Sequence, residues 1–389
     1  MRISHGHHLA YCTNIHPAES WEETFRVLKT DVLAVRDKLA NSRSTADNSQ
    51  FAIGLRLSAQ AASELVTGDQ LSSFHSWLDR ENCYVFTING FPYGAFHGTR
   101  VKEKVYQPDW STDERLTYTK QLFDIIAALS PQDSGGSVST LPGSFKEFGA
   151  DEHAIFARLQ ACATHIEELA ERTGKDLHLG LEPEPLGHFE NTAETLDFFE
   201  RFLAWAPDKN LIKRRIGINY DTCHFALEFD DCRASLEALR NAGLRISKVH
   251  LSSALEFDPT TPSALEAIKP FDEPTYLHQV IIKEGGKLTR HKDLPEFLAK
   301  QPPEDSPLTT PALGRIHFHI PLYAEPAAPL GSTQKHAQEI LAYREENPDF
   351  CTHYEIETYT WGVLPGELQT DLTSQIAQEY EWVLGQIKA

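Results

Sequence analysis

Short apolar runs and amphipathic stretches alternate along most of the chain. Aliphatic and β-branched runs fall at 3–8, 51–57, 84–88, 137–141, 177–181, 216–220, 246–251 and 354–359, with a ninth at 316–322. Between them, apolar positions recur every three to four residues, the spacing of a helix packed on one face. The 21–39 segment, opening after Pro17 and Ser20, carries Phe25, Leu28, Val32, Val35 and Leu39 in that pattern. The 154–173 segment repeats it with Ile155, Leu159, Cys162, Ile166 and Leu169, and 192–203, 234–242 and 373–387 follow. Strand–helix alternation predicts parallel pairing, and eight such units close into a (β/α)8 TIM barrel. An open doubly wound sheet is the competing α/β architecture, but its glycine-rich first turn, GxGxxG, is absent.

One stretch breaks the rhythm. Residues 254–314 are rich in proline and charge, and within them 280–289 reads as a hairpin around Gly285-Gly286. Insertions into barrels commonly emerge from the βα loops at the catalytic face. The expectation is a single barrel over 1–389 with an inserted rim or lid segment at 254–314.

Composition narrows the class of partner. With 41% hydrophobic and 24% charged residues the chain has the makeup of a protein with a core. Its 56 acidic and 36 basic residues give a formal charge of −20. That field disfavours nucleic acid and anionic membrane surfaces and favours a small-molecule substrate. No run approaches the ~18 apolar residues of a membrane span. The polar opening from Arg2 to His8 is not a signal sequence. The six cysteines are scattered without a CxxC pair, which reads as reduced thiols in a cytoplasmic setting. No feature specifies the oligomeric state.

Barrel chemistry is built at the C-terminal ends of strands, and the residues there are informative. The 177–181 run ends in Glu182-Pro183-Glu184-Pro185, where the residue before each proline is held extended and Glu182 is fixed at the strand tip. The 216–220 run ends in Asp221-Thr222-Cys223-His224, an acid and an imidazole three residues apart. Asp221 alone would read as a helix N-cap. The 246–251 run contains His250, and the last run places Glu355 and Glu357 on one face by the two-residue period. Two acids facing a barrel interior require a cation or donors to offset their charge. Oxygen donors with an imidazole suit Mn²⁺, Mg²⁺, Co²⁺ or Zn²⁺. His5, His7 and His8 in the first run are further candidates for the lumen; Phe91, Phe96 and Trp361 are candidates for an apolar wall, with core packing as the competing role.

These motifs resemble the xylose-isomerase-like barrel superfamily. Leu181-Glu182-Pro183-Glu184-Pro185 is similar to the Glu-Pro-Lys-Pro signature of xylose isomerases, and Asp221-Thr222-Cys223-His224 to the Asp-x-x-His of the related epimerases. Thr87-Ile88-Asn89-Gly90-Phe91 resembles their aromatic-bearing third strand. His250-Leu251-Ser252-Ser253-Ala254, His317-Phe318-His319-Ile320-Pro321 and Glu357-Thr358-Tyr359-Thr360-Trp361 look like the metabolite-traffic branch, EboE. The resemblance implies Glu182, Asp221, His250 and Glu357 as ligands of a divalent metal, with His319 the second choice for the imidazole. It implies His224 as a contact to substrate hydroxyls, and Glu184, His319, Phe91 and Trp361 as further substrate contacts. Glu184 stands where xylose isomerases place a catalytic lysine, which departs from their hydride-shift arrangement. The expected activity is metal-assisted isomerisation or epimerisation of a sugar-like polyhydroxy carbonyl compound through an enediolate. Glu182 and Glu357 would exchange the protons and His224 would orient the substrate. A non-catalytic metabolite carrier is the alternative, and a metal-dependent phosphoesterase is third.

Overall fold

The computed structural model describes residues 1–42, 50–95, 97–98, 100–300, 311–366 and 369–387. Eight parallel strands form the main sheet: β1 (His8–Tyr11), β2 (Phe51–Arg56), β3 (Cys83–Asn89), β4 (Gly136–Thr140), β5 (Leu177–Leu181), β6 (Ile216–Asp221), β7 (Ile246–Leu251) and, after five strands of an insertion, β13 (His353–Ile356). From β2 to β7 each strand pairs with its sequence neighbour, β13 pairs with both β7 and β1, and a parallel bridge from Cys12 to Gly54 joins the remaining edges. The chain therefore folds as a TIM barrel. Every residue of these eight strands is buried, as expected when helices cover one face and side chains fill the other.

The helices pack by the predicted face. In Glu152–Thr173, for example, Ile155, Leu159, Cys162, Ile166 and Leu169 are all buried against the sheet. Local chemistry sets their ends. Ser20 and Glu23 make a reciprocal capping box at the start of Trp21–Val27, and Gly174 ends Glu152–Thr173 in the left-handed conformation.

The insertion follows β7 and carries an antiparallel sheet of β8 (Leu255–Phe257), β9 (Val280–Glu284), β10 (Lys287–His291), β11 (Ala312–Ile316) and β12 (Leu330–Ser332). The predicted hairpin is β9–β10, with Gly285 and Gly286 both at positive φ, as a tight two-residue turn requires. Leu255, Phe257, Ile268, Val280, Ile282, Phe297, Ile316 and Phe318 give this segment an apolar core of its own. β12 returns to pair with β8, so the inserted sheet takes in residues up to Ser332.

Two strand expectations are corrected. The first strand begins at His8, because Ser4–Gly6 forms a tight turn with His5 at φ 62°. His5 faces Glu345, His7 faces Pro348 O and His8 faces Tyr84 Oη, all toward the N-terminal end of the barrel and away from its mouth. The 316–322 run is not a strand: β11 ends at Ile316 and the chain turns inward.

Candidate metal centre

Sheet register builds the centre. Asp221 on β6 is opposite His250 on β7, and His250 is opposite Glu355 on β13. Glu182 lies one residue past β5, its N–H donating to Thr140 O at 2.9 Å. Glu357 lies just past β13, its N–H donating to Leu251 O at 3.0 Å. Glu182, Asp221, His250 and Glu357 each offer one donor atom, and the four atoms lie within 4.8 Å of one another. All four side chains are buried.

Three of the donors are held by partners outside the group. Asp221 Oδ1 accepts from the N–H groups of Cys223 (2.7 Å) and His224 (3.2 Å) and from Ser252 Oγ (2.5 Å). It thus caps the Thr222–Leu227 helix, as its sequence position allowed, while Oδ2 remains without a hydrogen bond. Asn14 Nδ2 donates to Glu357 Oε1 at 2.7 Å. His250 Nε2 donates to Glu355 Oε2 at 2.8 Å, and Lys248 Nζ donates to the same oxygen at 2.5 Å. Against the cost of burial, Lys248 and His250 hold the Glu355 carboxyl down to about 2.

The donor set fits a divalent cation. With its proton on Nε2, His250 turns an Nδ1 lone pair toward Glu182 Oε1 (3.1 Å) and Asp221 Oδ2 (3.6 Å). Asn219 Nδ2 reaches the same nitrogen as a donor at 3.1 Å, and a positive charge, a proton or a metal ion, stabilises the lone pair facing the two carboxylate oxygens further. The carboxylate–imidazole pair behind it is the usual outer support of a metal-bound histidine. Three carboxylates and one nitrogen are compatible with Mg²⁺, Mn²⁺, Co²⁺ or Zn²⁺.

Above the donors lies a cavity lined by Asn14, Asn89, Phe91, Tyr106, Glu182, Glu184, His224, Tyr276, Gln279, His317, Glu357 and Tyr359, among others. Glu184 faces it with Oε1 unpaired, and burial, then the Glu182 carboxylate, push its pKa well above the usual carboxylate range. Phe91 lines the wall. Trp361 does not: its indole donates to Thr370 O at 3.0 Å, and the other aromatic wall residues are Tyr106, Tyr276 and Tyr359. His319 is fully buried behind the lining, its Nδ1 3.0 Å from Glu357 Oε2. His250, not His319, joins the three carboxylates. Phe96 lies outside the described residues. Asn14, Tyr106, Tyr276, Gln279 and Tyr359 were not anticipated; Asn14 and Tyr106 sit in short 3-10 turns and the others in loops, where no periodic signal marks them.

No protein-family model matches the chain, and no curated protein matches it in sequence. Solved structures do match. A xylose isomerase-like TIM barrel protein from Mycobacterium smegmatis, determined in complex with magnesium, is 11% identical over 99% of this chain and 98% of that one, with a TM-score of 0.52. The chain has the fold of a xylose-isomerase-like TIM barrel. An IOLI protein with a bound zinc atom aligns over 98% of this chain and 99% of its own at 12% identity, with a TM-score of 0.49. Likeness at this identity gives the architecture, and it does not reach the metabolite-traffic branch. No helix among the described residues is long and apolar enough to cross a membrane.

Proposed function

We propose that the chain is a divalent-metal-dependent isomerase or epimerase acting on a sugar-like polyhydroxy carbonyl compound. The observation that carries this reading is that Glu182 and Glu357 belong both to the four-donor group and to the cavity wall. A divalent cation held by Glu182, Asp221, His250 and Glu357 would polarise the carbonyl and its neighbouring hydroxyl and favour the enediolate.

The remaining work falls to the chain. Glu182 and Glu357 approach the bound molecule from the tips of β5 and β13, so one removes the carbon-bound proton and the other returns it. Asn14 fixes the Glu357 carboxylate through Oε1. Glu184 and His224 hold substrate oxygens on the wall beside Glu182. Phe91, Tyr106, Tyr276 and Tyr359 cover the apolar face of the molecule and exclude water.

The test is proton exchange in deuterated water with a panel of ketoses and aldoses. Glu182→Gln and Glu357→Gln should each lower deuterium incorporation next to the carbonyl by about 10²–10⁴-fold. Near-wild-type exchange in both variants rules the assignment out.

A second reading, a metabolite carrier, is favoured by one observation. Tyr276, Gln279 and His317 of the insertion form part of the cavity wall, as a capture element would. Tight binding of a compound that is recovered unchanged supports that reading over catalysis.

A further inference from the structure

At the end of the barrel away from its mouth, the starts of β5, β6, β7 and β13 surround a cleft of about 480 Å³. Lys213, Arg214, Arg240 and Arg245 line it, in a chain whose formal charge is −20.

The carboxylates around these cations do not balance them. Glu167 pairs with both Arg214 and Arg215, and Asp176 with both Arg215 and Arg245, so three guanidiniums share two carboxylates. Lys213 Nζ donates to Ala242 O at 3.2 Å and has no carboxylate partner among the described residues. Arg240 donates to Tyr343 Oη at 2.7 Å and to Asn347 Oδ1 at 3.0 Å, and Asp349 stands 4.0 Å from it. With Asp349 set against Arg240, two positive charges remain unmatched. Helix C-termini favour cations, and Lys213 and Arg240 do lie in the last turns of Lys209–Arg215 and Cys232–Asn241. That preference accounts for the residue type, but it leaves the excess charge around an open cleft without an anion.

The floor adds a hydrogen-bond donor. His178 on β5 lines the cleft although its side chain is buried, with Nδ1 2.5 Å from Ser247 Oγ. Its Nε2 has no hydrogen bond among the described residues. When Ser247 donates to Nδ1, the ring proton is on Nε2. Burial first, and then the Arg245 charge, hold the His178 pKa well below its usual value, so the ring is a neutral donor. Gly243, at φ 71°, leaves space for the ammonium, since a Cβ there would lie 2.9 Å from Lys213 Nζ. The proposed reaction uses none of these residues.

We propose that this cleft binds a small phosphate-bearing metabolite, with the phosphate among Lys213, Arg240 and Arg245 and above the His178 ring. A phosphate monoester carries nearly two negative charges at neutral pH and matches the unmatched pair, whereas a single carboxylate would leave one behind. Guanidinium groups suit its tetrahedral oxygens. The cleft lies across the barrel from the four-donor group, so this ligand and the substrate do not compete, and the site does not depend on the proposed reaction.

Calorimetric titration of the full-length protein with inorganic phosphate at fixed ionic strength tests the site. The expected result is saturable binding of one ion per chain. Lys213→Met and Arg240→Met should each weaken it by about 10-fold or more. The exposed Lys335→Met, which removes the same charge elsewhere, and His250→Ala, which disables the mouth, should leave it unchanged. Lys213 and Arg240 are only partly buried and lie on different helices, so if one variant fails to fold the other still decides. No saturable binding at millimolar phosphate, or unchanged affinity in the folded cleft variants, overturns the proposal. Equal weakening in Lys335→Met reduces the effect to net charge and overturns it as well. Binding lost in His250→Ala but kept in the cleft variants assigns the ion to the mouth and does the same.

Discussion

His250 and Glu355 stand opposite each other in register on neighbouring strands, with Nε2 and Oε2 at 2.8 Å and both side chains fully buried. This contact fixes the histidine tautomer and aims Nδ1 at the carboxylates. Glu355→Gln should therefore lower metal affinity by about 10-fold or more. It also leaves Lys248 as a buried unpaired charge, at a cost of about 3–5 kcal/mol. Adding Lys248→Met should restore stability without restoring affinity, as chemical denaturation and metal titration of the same samples will report.

Gly54 leaves room for that carboxylate. A Cβ there would lie 1.9 Å from Glu355 Oε1 and 2.6 Å from Tyr11 O. Gly54→Ala must push Glu355 away from His250, so it should weaken metal binding although residue 54 touches no donor of the group. Unchanged metal affinity in Gly54→Ala would show that the Glu355 contact does not orient the histidine.

Glu379 predicts a pH dependence of stability. Its Oε1 accepts from Thr358 Oγ1 at 2.6 Å and from Leu322 N at 3.1 Å, and burial pushes the carboxyl up to about 7 from an ordinary 4.5. Between those values the folded chain keeps a proton that the unfolded chain releases, so stability falls as pH rises through this window. The loss at pH 8 is about 3 kcal/mol at 1.36 kcal/mol per unit. Glu379→Gln should be more stable than wild type by up to about that amount at pH 8, with the gain vanishing near pH 4.5. Urea midpoints at the two pH values measure it.

The thiols should be inert in the folded state. All six cysteines are buried and unbridged, and burial pushes Cys162, Cys232 and Cys351 up to about 12 and Cys83 and Cys223 up to about 11. A thiol-labelling reagent at pH 8 should modify essentially none before unfolding and all six after it. Rapid labelling of the native protein would contradict this burial.

Glu182, Asp221, His250 and Glu357 were legible as candidates because a parallel barrel presents its strand tips at one end, and the family resemblance joined them into a set. Their supports were not. Alternation put Glu355 on the same face as Glu357, but only the register across β6, β7 and β13 sets Glu355 beside His250, and register depends on how the whole sheet closes. The 316–322 run has strand composition, yet Phe318 and Ile320 belong to the core of the insertion while His317 and His319 turn toward the donors. A two-residue period says nothing of such a bend. The cavity wall was hidden for a related reason: Asn14, Tyr276 and Gln279 are brought together by a short 3-10 turn and loops whose paths no local pattern encodes.

Closure of the barrel by β13 has a consequence for assembly of the centre. The strand at His353–Ile356 is the only stave between β1 and β7, and it carries Glu355 with Glu357 just beyond. Before this strand is in place, Glu182, Asp221 and His250 are present, yet β1 and β7 have no strand between them and His250 has no carboxylate behind it. Completion of the four-donor group thus waits on the strand that follows all the other barrel strands in the chain.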